Sequence, residues 1–244
     1  MKQYRLIDTG SGSRARAVSL QRSMVREKVK AVIPMALYML FYCTSFMILE
    51  NWNRQHDTVI HTAVDDRIPF CEWFVIPYFL WFVYIVGFTL YVFVHDEKCY
   101  HETCTFLAIG MTVFLIVSVF FPNILYLRPR VLPRSNILTD LCRFLYAIDT
   151  PTNVTPSIHV YNSLAIMIGV WHTNKGVHRY LWSRIAVTFQ GFLIILATMF
   201  IKQHSFSDVV LATWLAIVSY ILVYKLGFVA AGKKTEESQL RSLA

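Results

Sequence analysis

The sequence predicts an all-α fold, a polytopic membrane protein built as a six-transmembrane-helix bundle, and three observations predict it. Hydrophobic residues make up 56% of the 244 and charged residues only 16%, with a mean hydropathy of +0.47. That leaves too little polar surface to keep a soluble domain dispersed. Six apolar stretches reach or approach the roughly 20 helical residues that cross a hydrocarbon core. The charge is lopsided: Lys2, Arg5, Arg14, Arg16, Arg22, Arg26, Lys28 and Lys30 stand against only Asp8 and Glu27 in the first 30 residues and supply most of the net +8. Such a segment stays on the cytoplasmic side.

The chain divides accordingly into a basic cytoplasmic N-terminal arm (1–30), a membrane domain (31–230) and a cytoplasmic tail (231–244) whose Lys233, Lys234 and Arg241 agree with an even number of crossings. Within the arm, SGSRARA (11–17) reads as flexible. The leader is too long for a cleaved signal peptide and no small-residue cleavage site follows it. Spans are expected at 31–49, 73–94, 106–121, 157–171, 185–201 and 209–230, the third marginal and the fourth short. Segment 51–72 is an outer loop whose Asp65, Asp66 and Pro69 suggest turns, and Pro77 is a kink of the sort membrane helices tolerate. Trp52, Trp73 and Trp182 sit where an interfacial belt belongs. CYHETC (99–104) lies in a cytoplasmic loop, with two thiols, a histidine and a carboxylate at a spacing that matches no common zinc pattern. Cys43, Cys71 and Cys142 fill space in or near apolar runs, and no disulfide framework can be read. HTNKGVHRY (172–180) reads as an inner-face turn.

With the N-terminus inside, residues 122–156 follow three crossings and residues 202–208 follow five, so both face outward. The first segment breaks the charge rule with Arg128, Arg130, Arg134 and Arg143. Phosphate is the usual reason, because guanidinium grips its oxygens in a bidentate fork. The second, KQHSFSD, crowds Lys202, His204 and Asp208 at a membrane boundary. On a helix His204 and Asp208 share a face, so the carboxylate can hold one imidazole nitrogen. A third constellation lies in DTPTNVTPSIHV (149–160). Thr155 is the expected N-cap and Pro156 the first helical residue. That puts His159 in the first turn, beside backbone N–H groups of Ser157 and Ile158 that suit an anion. Asp149 can brace a loop arginine or serve a turn. Two histidines at outer helix ends, one backed by a carboxylate and with arginines nearby, describe a phosphoryl-transfer site.

These motifs resemble those of the type 2 phosphatidic acid phosphatase superfamily, in particular its inositol phosphorylceramide synthase-like (inositolphosphotransferase-type) branch. Arg128-Pro129 resembles the Arg-Pro that closes the first motif. PSIH (156–159) is similar to Pro-Ser-Gly-His, and His204-x3-Asp208 to the end of Ser-Arg-x5-His-x3-Asp. The chain departs from the pattern at three points: Phe121 replaces the lysine seven residues before Arg128, Ile158 replaces the glycine, and Ala197-Thr198 stand where Ser-Arg would precede His204. A Ser183-Arg184 pair lies at the other end of that helix. Lys202 is the candidate for the missing cation, and the KQH-x3-D form resembles the synthase branch.

The resemblance implies an integral-membrane, metal-independent lipid phosphate phosphatase or phosphotransferase, acting on the extracytoplasmic face of a bacterial plasma membrane. It implies that His204 attacks phosphorus to form a phosphohistidine, that Asp208 orients the ring, and that His159 protonates the departing oxygen. Arg128, Lys202, Arg130 and the backbone at Ser157 would bind the phosphate. No cofactor and no metal are implied. The expected partners are a lipid phosphate or lipid diphosphate, membrane lipids and an alcohol acceptor such as inositol, with no nucleic acid. The rival reading is a transporter or a catalytically inactive lipid-binding membrane protein, since intramembrane His, Asp and Lys serve carriers too.

Overall fold

An apolar run in hydrocarbon has no water to satisfy its backbone, so it closes its hydrogen bonds within the segment and folds as a helix. The computed structural model describes residues 11–52 and 58–228, with side chains from Val29 onward. The tail at 231–244, the first ten residues of the arm and the basic side chains up to Lys28 lie outside the described residues. The described helices are α1 (Ser11–Glu50), α2 (Val75–His95), α3 (Glu97–Phe120), α4 (Ile137–Ile148), α5 (Ile158–His172), α6 (Leu181–Phe200) and α7 (Phe206–Tyr220). A π turn, Ile221–Lys225, prolongs α7. Strand β1 (Thr58–Val59) pairs in parallel with β2 (Asn123–Ile124).

Among the described residues five helical segments are long and apolar enough to cross a membrane: Val29–Glu50, Glu72–His95, Glu97–Phe120, Leu181–Phe200 and Phe206–Lys225. Helix α5 has 15 residues and reaches about 22 Å at 1.5 Å per residue, short of a hydrocarbon core of about 30 Å. The chain forms two units, residues 1–41 and 42–244. In the first, Ile33, Leu37, Leu40 and Phe41 are all exposed, as apolar side chains are when lipid is their solvent. In the second, α5 packs against α2, α3, α6 and α7 and carries the fully buried Val160, Tyr161, Ala165, Ile166 and Val170.

Tyr161 fixes α5 to both α3 and α7. Its hydroxyl donates to the carbonyl of Phe106 at 2.8 Å and lies 2.7 Å from Ser219 Oγ. The ring fits because residue 110 on α3 is glycine: a Cβ there would sit 2.0 Å from Tyr161 Cε1. Gly110→Ala is therefore expected to lower stability by about 1–3 kcal/mol through overpacking. Thermal unfolding in detergent reads this, and an unchanged midpoint would show that the ring can move aside.

Several expectations are corrected. SGSRARA belongs to α1, a 40-residue helix that begins at Ser11, and its Ala and Arg residues are good helix formers. CYHETC is no loop: α3 starts at Glu97, with Asp96 as N-cap accepting from Cys99 N. Cys99 and Cys104 are buried in the bundle, and the Cys99 thiol donates to Gly169 O at 3.5 Å. Pro77 falls in the first turn of α2, where its missing N–H is an orphan in any case and no kink is needed. The loop at 122–156 contains α4, which opens on a capping box between Asn136 and Thr139.

Candidate active site

Both histidines stand at the same end of the second unit, where α5 and α7 begin and α6 ends. Local chain physics places each. At the close of α6, Lys202 takes a left-handed φ of 57°, the conformation that ends many helices and that glycine adopts most easily. Gln203 N and His204 N then both donate to Thr198 O, at 2.9 and 3.0 Å. Ser205 caps α7, and Asp208, three residues on, returns the bond by accepting from Ser205 N at 2.9 Å. The segment before α5 is held by Asn123, fully buried, whose Oδ1 accepts from Val154 N at 2.8 Å and Thr155 N at 3.3 Å.

The helix that carries His159 is capped by Ser157, whose Oγ accepts from Val160 N. Thr155, expected to be the cap, is two residues too early. Its hydroxyl donates instead to Asp208 Oδ1. Pro156 lies outside the helix, and the Thr155–Pro156 peptide is cis. Ser157 is fully buried with its hydroxyl spent on the cap, and Ile158, rather than Ser157, lines the cavity described next.

His159 and His204 converge. Their ring centroids are 5.6 Å apart with the planes 55° off parallel, and both line one cavity. Its volume is about 50 Å³, on a scale where one water takes roughly 10–15 Å³, so a phosphoryl group fits. Aromatic side chains of α2 hold the His159 ring: Tyr78 stacks on it at 4.6 Å and Trp81 lies at 4.2 Å. His159 Nδ1 is buried with no hydrogen-bond partner among the described residues. His204 Nδ1 faces Asp208 Oδ2 at 3.5 Å, too long and too poorly aligned for a hydrogen bond. Asp208 is completely buried, with its oxygens occupied by Thr155 and Ser205.

The cations divide. Of the four arginines in 122–156, Arg134 donates to Glu72 Oε1 at 2.9 Å and Arg143 to Asp140 Oδ1 at 2.5 Å, so carboxylates account for both. Arg130 is exposed in its turn and does not line the cavity. Arg128 does not line the cavity either, but it bonds two residues that do, Asp149 and Gln203. It donates to the carbonyls of Tyr146 and Asp149 at 3.3 and 2.8 Å and, through Nη2, to Gln203 Oε1 at 2.5 Å. Lys202 is corrected as a site cation. The left-handed turn swings its side chain away from the cavity, and Nζ donates to the carbonyls of Asp65 and Ile68 at 2.8 and 2.5 Å. The Ser183-Arg184 pair is engaged in the loop after α5, where Arg184 donates to the carbonyls of His178 and Thr173.

Two carboxylates were undervalued by the sequence. Asp149 lines the cavity. Burial raises its pKa above the usual range, while Arg128 and His204 pull it down, and Tyr78 is its hydrogen-bond partner. Asp65 is 2% exposed and anchors the His204 loop from 51–72: its oxygens accept from Ser205 Oγ at 2.6 Å, Phe206 N at 2.7 Å and Thr62 N at 2.7 Å. Burial pushes its pKa up, but these hydrogen bonds together outweigh burial and hold it below the ordinary 3.8. A carboxylate depressed on folding contributes stability above its unfolded pKa and loses it as pH falls through the folded one. The thermal midpoint in detergent should therefore drop as pH falls below about 4. Asp65→Asn should lose that dependence and about 1–3 kcal/mol at neutral pH, having one acceptor oxygen for several donors. An identical acid profile in the variant would exclude Asp65 as the group responsible.

No curated protein and no solved structure matches the chain. A sequence profile of the PAP2 superfamily matches residues 101–230. The match runs from α3 through α7 and takes in both histidines, Arg128 and Asp208, but not the α2 aromatics or Asp65. Covering a little over half of the sequence, it shows that the chain belongs to the PAP2 superfamily, whose members are in general phosphatases or phosphotransferases.

Proposed function

We propose that the protein is a lipid phosphate phosphatase or headgroup phosphotransferase that works through a phosphohistidine on His204. The observation that carries this reading is the convergence of His159 and His204, 5.6 Å apart, on one cavity of phosphoryl size. With Nδ1 turned toward Asp208, the far nitrogen Nε2 of His204 is left as nucleophile. Its lone pair forms the N–P bond while the P–O bond to the lipid breaks. His159 gives its proton to the departing oxygen. Asp208, negative and buried, balances the positive charge that the phosphorylated imidazole acquires. In the second step water or an alcohol loses a proton to His159, attacks phosphorus and frees His204. No step calls for a metal.

The KQH-x3-D sequence at 202–208 supports the inositolphosphotransferase-type branch, in which an alcohol such as inositol is the acceptor. A lipid phosphate or diphosphate is the donor class, because the apolar spans let an acyl or prenyl chain stay in hydrocarbon. α5 is the sixth crossing in this reading. It runs from His159 at one end to the Thr173–Arg179 turn at the other, and burial by α2, α3, α6 and α7 lets so short a helix be accommodated. Six crossings and the basic leader put both termini in the cytoplasm and the histidines on the extracytoplasmic face of a bacterial plasma membrane.

Purified protein in detergent is tested with lipid phosphates under EDTA, with and without inositol. Release of inorganic phosphate without an acceptor gives the hydrolase, and a new phosphoester formed only with the alcohol gives the transferase. If neither appears while labelled lipid phosphate crosses a reconstituted vesicle, the protein is a carrier and the proposal fails.

A further inference from the structure

The cavity wall holds a donor that the proposed mechanism has not used. Gln203 lies between the positive-φ turn of Lys202 and the histidine nucleophile, is 2% exposed and lines the cavity beside His204. Its backbone is fixed by the bond from its N–H to Thr198 O. Its Oε1 is taken by Arg128 Nη2 at 2.5 Å, which settles which end of the amide faces which way: a guanidinium only donates, so the oxygen must face it. The Nε2 end is buried with no partner among the described residues. Leaving an amide donor unmatched costs about 1–3 kcal/mol, and apolar neighbours such as Phe46 and Phe114 on the same wall offer it nothing.

Arg128 raises the stakes of that arrangement. Three of its five N–H donors go to two carbonyls and the Gln203 oxygen, its buried Nε has no partner among the described residues, and Arg128 itself does not line the cavity. A cation bonded to the amide oxygen draws electron density through the O–C–N unit and makes the N–H a stronger donor. The positive charge is thus relayed to the cavity wall as a polarised N–H. Such a relay suits a site in which Lys202 faces elsewhere and Phe121 is no cation.

We infer that Gln203 is a phosphate-binding residue, its Nε2 donating to a non-bridging oxygen of the phosphoryl group while Arg128 holds and polarises its other end. Arg128 then positions Gln203, a role that leaves its remaining N–H donors free. The inference rests on the phosphohistidine reading for the identity of the group bound, but its test does not need turnover.

The test compares wild type, Gln203→Glu and Gln203→Met in detergent. Glutamate keeps an oxygen for Arg128 and so the local fold, but replaces the donor by a second acceptor. Methionine keeps the length and removes both. Binding of orthovanadate and of inorganic phosphate is read as the shift each gives to the thermal midpoint, and kcat/KM is read with a lipid phosphate. Both variants should bind vanadate at least about tenfold more weakly and lose roughly 10²-fold in kcat/KM, as removal of one donor to developing anionic charge does. Gln203→Glu should unfold at the wild-type temperature. Vanadate affinity within twofold of wild type in Gln203→Glu would overturn the inference, as would a wild type whose midpoint neither anion moves. Turnover that depends on His204 but is indifferent to both variants would remove Gln203 and leave the phosphohistidine standing. Anion binding lost in the variants without any turnover in wild type would do the reverse.

Discussion

His204→Ala is expected to lower lipid phosphate turnover by at least about 10⁴-fold, because in the proposed mechanism the reaction loses the atom to which phosphorus is transferred and not merely a stabilising contact. The fold should survive. Among the described residues His204 Nδ1 makes no hydrogen bond to the bundle, and the backbone bonds that shape its turn, from His204 N and Gln203 N to Thr198 O, are unaffected by the side chain. Asp208 stays satisfied by Thr155 and Ser205. Rapid quenching of wild type with labelled lipid phosphate should trap protein-bound phosphate that is lost in acid and stable in base, as phosphoramidates are, and the variant should trap none. A variant that keeps a tenth of the activity, or still carries the label, means that another residue is the nucleophile.

The residues that make this expectation possible were legible in the sequence to different degrees. The His204-x3-Asp208 spacing anticipated a shared helical face, but His204 precedes the Ser205 cap of α7, so the two side chains meet across the cap, 3.5 Å apart and without a hydrogen bond. Asp208 does more than orient a ring: it closes the capping box of α7, a role that the S-x-x-D pattern at 205–208 advertises. His159 was found by motif, but the cap was misplaced by two residues because Ser157 and Thr155 are equally good caps on paper and Pro156 tilted the choice. Only the structure shows that Thr155 is needed elsewhere, on Asp208.

Lys202 shows why charge alone misleads. It stands two residues from His204, yet side-chain direction at a helix end depends on backbone φ, and a left-handed turn sends it to the carbonyls of Asp65 and Ile68. Asp65 itself looked like a turn residue 139 positions before His204, and no local pattern ties two loops so distant. Pairing of β1 with β2 brings 51–72 and 122–156 together, a non-local event that periodicity cannot reveal. α4 was within reach: Asn136 and Thr139 form a readable capping box, and Thr139, Cys142 and Leu145 make one buried face. The density of arginines drew attention away from it toward phosphate, whereas Arg134 and Arg143 answer to Glu72 and Asp140.

His159→Gln should divide substrates by leaving group. The ring sits against Tyr78 and Trp81, with Nδ1 unpartnered, so the site holds an imidazole in place without spending its hydrogen-bonding capacity. If that capacity serves to protonate the departing oxygen, a lipid alkoxide, which leaves poorly unless protonated, should depart roughly 10²–10⁴-fold more slowly in the variant. A nitrophenyl phosphate, whose leaving group is stable as an anion, should phosphorylate His204 at close to the wild-type rate. The same imidazole is the base for the second step, so the phosphohistidine should then persist. The variant should therefore release about one nitrophenolate per protein in a burst and turn over slowly afterwards, while wild type turns over without a burst of that size. Equal losses on both substrates, with no burst, would instead make His159 a packing residue for the α2 aromatics and leave the proton to another group, of which Asp149, buried on the same cavity with its pKa raised, is the nearest in chemistry.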